Sequence, residues 1–195
     1  MGKIKSALEI ALERTETVKG DKDSIALFSA KQKGKKLANE FLDGGVKSLE
    51  DEIKKEAQGA QEHLKQGIFD VLISRINLPA AKDDLERIET AGRGLAAIIA
   101  DKAFGEMVKQ FIKLMNQYLG EASQYEEAIK RQYAPKLRHK EEELSRRYGR
   151  QVKLDPFQDP EFVAFFNQHI NALKGNYQGA ADQVREEAAR FFGSS

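Results

Sequence analysis

The chain has 195 residues, 32 Lys and Arg against 31 Asp and Glu, and no Cys. That length suits one domain on a prior of roughly 150 residues each, so a single all-helical domain over 1–195 is expected. The absence of Cys excludes disulfides, thiolate metal ligands and Cys nucleophiles. Ala, Glu, Lys, Leu and Arg make up close to half of the chain, the share that marks long helices and coiled coils.

Helical periodicity organises the chain from its start. Ile4, Leu8, Ala11, Leu12 and Val18 form a first stripe, which Gly20 is expected to end. Ser24 or Asp23 then caps a second helix with Ile25, Phe28, Leu37, Phe41 and Leu42, interrupted by Gly34 and closed near Gly44-Gly45. From Val46 to Asn77 the apolar residues Val46, Leu49, Ile53, Ala57, Ala60, Leu64, Ile68 and Val71 are spaced 3, 4, 4, 3, 4, 4, 3. This 11-residue repeat predicts a straight helix of about 48 Å, stopped at Asn77-Leu78-Pro79.

A further helix carries Leu85, Ile88, Leu95, Ile98 and Ile99, and another carries Phe104, Val108, Phe111, Leu114, Met115, Tyr118, Ala122, Tyr125 and Ile129. Gly105 decides whether the two are continuous, and Pro135 is expected to kink or restart the chain. Residues 149–159 have no helical signal and read as a loop, with an extended piece where Gln151, Val152, Lys153 and Leu154 alternate. Asp159-Pro160-Glu161 then reads as cap, first position and first acidic turn of the last helix. Its stripe of Phe162, Phe166, Ile170, Leu173, Tyr177, Ala181, Val184, Ala188 and Phe192 repeats the 11-residue spacing. The expectation is an all-α, elongated bundle with 11-residue seams, in which Phe162, Phe166, Ile170, Leu173 and Tyr177 form an interaction seam.

Motifs for chemistry are scarce. Gly92 to Ala97 fits the G-x-G-x-x-A fingerprint, but the preceding residues are helix-patterned where the fingerprint needs a strand. Three residues before His63, His139 and His169 stand Ala60, Lys136 and Phe166, so the Glu-x-x-His pairs of helical metal sites are missing. There is no G-x-S-x-G elbow and no P-loop. Met1 to Ser6 fits a short myristoylation pattern, read as an ordinary helix start. No catalytic, cofactor-binding or metal-ligating residue is assigned, and the protein is expected not to be an enzyme.

Charge is uneven. Residues 130–153 hold nine basic side chains against three acidic ones: Lys130, Arg131, Lys136, Arg138, Lys140, Arg146, Arg147, Arg150 and Lys153. With Tyr133 and Tyr148 interleaved, the segment can meet an anionic partner. Glu126–Lys130, Glu127–Arg131, Glu142–Arg146 and Glu143–Arg147 are also spaced as helical ion pairs, which support an exposed helix without any ligand. The longest aliphatic run, Leu95 to Ala100, is six residues against about 20 for a membrane span, and no secretory signal is present, so a cytoplasmic location is expected. The sequence therefore predicts a stalk-like or adaptor protein that self-associates, as a dimer, or meets another helical protein. The alternative is nucleic-acid binding through 130–153.

Overall fold

The computed structural model describes the backbone of residues 7–193 and the side chains of residues 25–193. Six α-helices and one 3-10 turn account for it: α1 (Ala7–Leu42), α2 (Leu49–Lys54), α3 (Gln58–Ile73), α4 (Lys82–Ile99), α5 (Lys102–Tyr148), the turn Pro156–Gln158, and α6 (Pro160–Gly193). Helix covers 84% of the described residues, which contain no strand, so the protein is all-α. The myristoylation pattern and the facing of the first stripe lie outside the described residues. The chain divides into two compact units, one of residues 1–75 and 90–102, the other of 76–89 and 103–195, with α4 shared between them.

In the first unit, α1 runs unbroken through Gly20, contrary to the expected stop. A single glycine costs a helix only about 1 kcal/mol relative to alanine, which a 36-residue helix absorbs. The long helix expected over 46–77 is instead broken at Lys55–Ala57. Only Ala57 and Ala60 marked the stripe there, and neither is buried, so nothing large held the register. The break lets Leu49 and Ile53 on α2 share a core with Leu64, Ile68 and Leu72 on α3. Ser48 caps α2 by accepting from the Asp51 amide at 3.2 Å. Glu56, in the break, pairs with Lys33 of α1 at 2.5 Å, and Asp70 of α3 pairs with Lys31 at 2.8 Å.

The crossing of α1 and α3 is set by two glycines. A Cβ on Gly34 would lie 2.1 Å from the Leu64 carbonyl oxygen, and one on Gly67 would lie 2.1 Å from that of Lys31. Each glycine is thus pressed on the other helix's backbone. Gly92 to Ala97 lies in mid-helix, not at a strand-to-helix turn, and Gly94 sits under Leu72, Phe41 and Leu49.

The boundary between α4 and α5 falls at Ala100, with Gly105 inside α5. Ala100 takes φ 56°, a left-handed conformation that costs a residue with a Cβ about 1 kcal/mol or more. Ala100→Gly should therefore raise stability by about 1 kcal/mol in a urea melt; an unchanged midpoint would show that the junction is unstrained.

In the second unit, α5 and α6 are antiparallel. The ring pairs Phe104–Phe191, Tyr118–Tyr177 and Tyr133–Phe162, at 5.9, 5.1 and 5.2 Å, climb one helix as they descend the other in equal steps. Seven of the nine stripe positions of α6 are buried, Phe166 and Phe192 being the half-buried exceptions. Pro135 does not restart the chain: α5 continues through it. Ile129, Tyr133 and Leu137 pack on both sides of the proline into one cluster with Phe162, Phe165 and Phe166. That packing offsets the roughly 3 kcal/mol an interior proline costs.

Candidate functional site

The end of the α5–α6 hairpin gathers the charged residues singled out in the sequence. Helix α5 stops at Tyr148, and Gly149 takes φ +66°, the left-handed conformation that a glycine cap supplies without strain. The chain then turns back along α5 in an extended run. With no strand to pair with, it borrows oxygens from helix side chains: the Val152 amide donates to Ser145 Oγ at 2.9 Å and the Leu154 amide to Glu141 Oε1 at 2.8 Å. Val152 and Leu154 are half-buried, while Gln151 and Lys153 are exposed, which follows the alternation in the sequence. Asp155 caps the 3-10 turn through the Phe157 amide at 3.0 Å.

Asp159 closes the loop. It is buried, 7% exposed, and its carboxylate accepts four hydrogen bonds from three donors. Oδ1 accepts the Glu161 amide at 3.1 Å, as an N-cap should, and Lys140 Nζ reaches both oxygens at 2.9 and 2.8 Å. The Tyr133 hydroxyl donates to Oδ2 at 2.9 Å. Lys140 also pairs with Glu161 at 2.8 Å, and Lys136 pairs with the same carboxylate at 2.8 Å. Each buried oxygen is satisfied, the condition under which such a network rigidifies a site.

The charges shift one another accordingly. Lys136 and Lys140 hold the Glu161 carboxyl down, from 4.5 to about 2. Lys140, then Tyr133 and the Glu161 amide, hold Asp159 below its usual range against its burial. The two carboxylates push the Lys140 ammonium up. Burial first, and the Asp159 acceptor second, raise the Tyr133 phenol. Both carboxyls titrate lower in the folded protein than in the unfolded chain. Their stabilisation is complete above about pH 4.5 and is lost as pH falls from there towards about 2. The thermal midpoint should thus drop more steeply over that window than in Lys140→Met; superimposable acid profiles would show that the network contributes no pH-dependent stability.

The nine basic residues divide into two groups. Lys130 pairs with Glu126 at 2.7 Å and lies over the Phe157 ring, and Lys136 and Lys140 belong to the network above. Arg131 sends Nε to the Glu127 carbonyl at 3.3 Å instead of pairing with its carboxylate. Arg138, Arg146, Arg147, Arg150 and Lys153 are exposed and make no ion pair or hydrogen bond among the described residues. The expected Glu142–Arg146 and Glu143–Arg147 pairs are not formed; Glu143 instead stands 3.9 Å from His139. Tyr148 is 61% exposed beside these arginines.

The stripe residues of α6 are engaged within this unit. Phe162 is fully buried against Tyr133, and Tyr177 donates to Glu121 at 2.6 Å. Leu173 is buried, while Phe166 and Ile170 line a groove of about 570 Å³ with Leu78, Tyr118 and Leu119. Among the described residues no group of three His, Asp or Glu is placed to hold a metal, and no helix is long and apolar enough to cross a membrane. Asp159 and Glu161 are legible in the sequence as helix-start residues, but their pairing with Lys140 is not, because nothing local links positions 19 and 21 residues apart.

Residues 50–190 match the model of a family described as "Family of unknown function (DUF6657)". The chain belongs to this family. The match runs from α2 almost to the end of α6, so the whole braced hairpin end lies within the part shared by the family's members. No curated protein and no solved structure matches the chain.

Proposed function

We propose that the protein is a non-enzymatic helical adaptor, acting in the cytoplasm, whose contact surface is the end of the α5–α6 hairpin. One observation carries this reading. Five basic side chains stand unpaired on a backbone that the Asp159–Lys140–Tyr133 network and the Ser145 and Glu141 anchors hold in place. Oppositely charged side chains one turn apart stabilise a helix by about 0.2–0.5 kcal/mol per pair, and here two such pairs are left unmade. A rigid, pre-set surface binds with less ordering cost than a flexible one. The partner is an acidic protein surface, on another helical protein or on a second copy of the chain.

Charge reversal tests it. Arg146→Glu with Arg147→Glu and Arg150→Glu should leave the melting temperature within about 2 °C, as exposed substitutions do. The same triple variant should lose the proteins that cross-link to the parent, identified by mass spectrometry, and light scattering shows whether the partner is a second copy. Unchanged cross-linking would move the contact surface elsewhere.

Nucleic-acid binding is the second reading, favoured by exposed Tyr148 among the arginines, an arrangement suited to base stacking between phosphate contacts. It predicts single-stranded DNA affinity that falls with salt at a log–log slope of about −3.5 for five contacts.

A further inference from the structure

At the hairpin end, between the last turns of α5 and the returning chain, lies a cleft of about 370 Å³. Leu144, Leu154 and Pro160 wall it with apolar surface; Arg147, Glu143 and Gln158 stand around it. The Lys140 charge in its lining is already matched by Asp159 and Glu161, so the rim charges left for a ligand are Arg147 and Glu143.

We infer that this cleft takes a short peptide segment of a partner protein, an apolar side chain entering between Leu144 and Leu154 and an adjacent carboxylate pairing with Arg147. The inference deepens the adaptor reading and rests on it. Charge complementarity selects the occupant. Arg147 offers a planar fork for a carboxylate, within the field of Arg146, Arg150 and Lys153. Glu143 limits the negative charge the cleft takes: a single carboxylate is matched by Arg147, a phosphate chain with a charge on every unit is repelled, and the Glu143 oxygens accept the amide N–H groups that every peptide carries. The apolar walls have no use for a sugar–phosphate backbone, whereas pockets that take individual side chains are how grooves read an extended peptide. The rigid floor, fixed by Asp159 and by the Leu154 amide on Glu141, keeps the cleft open without a ligand.

The test pans a random-peptide display library against the full-length chain. Enriched peptides should share an apolar residue next to Asp or Glu. The best of them should bind Arg147→Glu at least about tenfold more weakly, as expected for one charged hydrogen-bonded contact. Lys113→Glu, the same charge change at an exposed position of α5 outside the basic segment, should change affinity less than about threefold. Replacing the peptide's apolar residue by serine should abolish binding. The inference is overturned by a library that enriches nothing, by peptides lacking either feature, by equal losses in the two variants, or by a 20-nucleotide single strand that competes with the peptide. If the charge-reversed triple variant loses its cross-linked partner while no peptide enriches, the adaptor surface stands and the peptide cleft falls.

Discussion

Replacing Gly67 by alanine should cost the first unit at least about 3 kcal/mol. The added Cβ would lie 2.1 Å from the Lys31 carbonyl oxygen and 3.0 Å from its carbon, both backbone atoms that no rotamer change can move. Helices α1 and α3 must part, and the cost is that of an overpacked core plus the exposure of Leu64 and Ile68, which are 1% and 0% exposed in the parent. The gain of about 1 kcal/mol in helix propensity is too small to offset this. Gly34→Ala should behave alike, since its Cβ would meet the Leu64 carbonyl at the same 2.1 Å. The double variant should cost little more than either single one, because the first methyl already separates the helices. In a chain of this size the loss corresponds to a midpoint lower by about 6–12 °C. Gly120→Ala and Gly175→Ala, where a Cβ would meet nothing within 4 Å, should instead stabilise by up to about 1 kcal/mol. A Gly67→Ala protein that melts with the parent would show that the two helices can slide apart freely.

Ile170→Asp is expected to destabilise the second unit by at least about 3 kcal/mol. Ile170 is 7% exposed on the face of α6 that also buries Phe162 and Leu173. The substitution forfeits about 1.5–3 kcal/mol of burial, and the new carboxylate must either stay protonated or open the contact. Lys174→Asp, one turn further on at an exposed position, should shift stability by less than about 0.5 kcal/mol. Thermal melts of the two variants decide the matter. Should Ile170→Asp melt like the parent yet lose a cross-linked partner, this face of α6 is a docking surface and the groove beside it becomes the site of interest.

Much of this was present in the chain's own chemistry. The start of α6 follows from Asp159, Pro160 and Glu161, whose cap, fixed φ and dipole act within one turn. Its buried face follows from the apolar spacing, and the end of α5 from Gly149. Such signals are legible because each is satisfied by atoms a few residues away. What tertiary structure alone decided involves partners far apart in sequence. Gly20 and Pro135 are helix breakers by propensity, at about 1 and 3 kcal/mol, yet both lie inside helices, the proline held by an aromatic cluster that spans it. Conversely, the periodic stretch at Lys55–Ala57 breaks where only alanines marked the stripe, so that α2 and α3 can share one core. Gly34 reads in sequence as a weak point and becomes a fixed contact once the Leu64 carbonyl of α3 lies against it. The basic segment reads as nine equivalent charges; the fold silences Lys136 and Lys140 on acids that begin the next helix and leaves five others exposed, because charge pairing depends on distance in space, which spacing along one helix does not report.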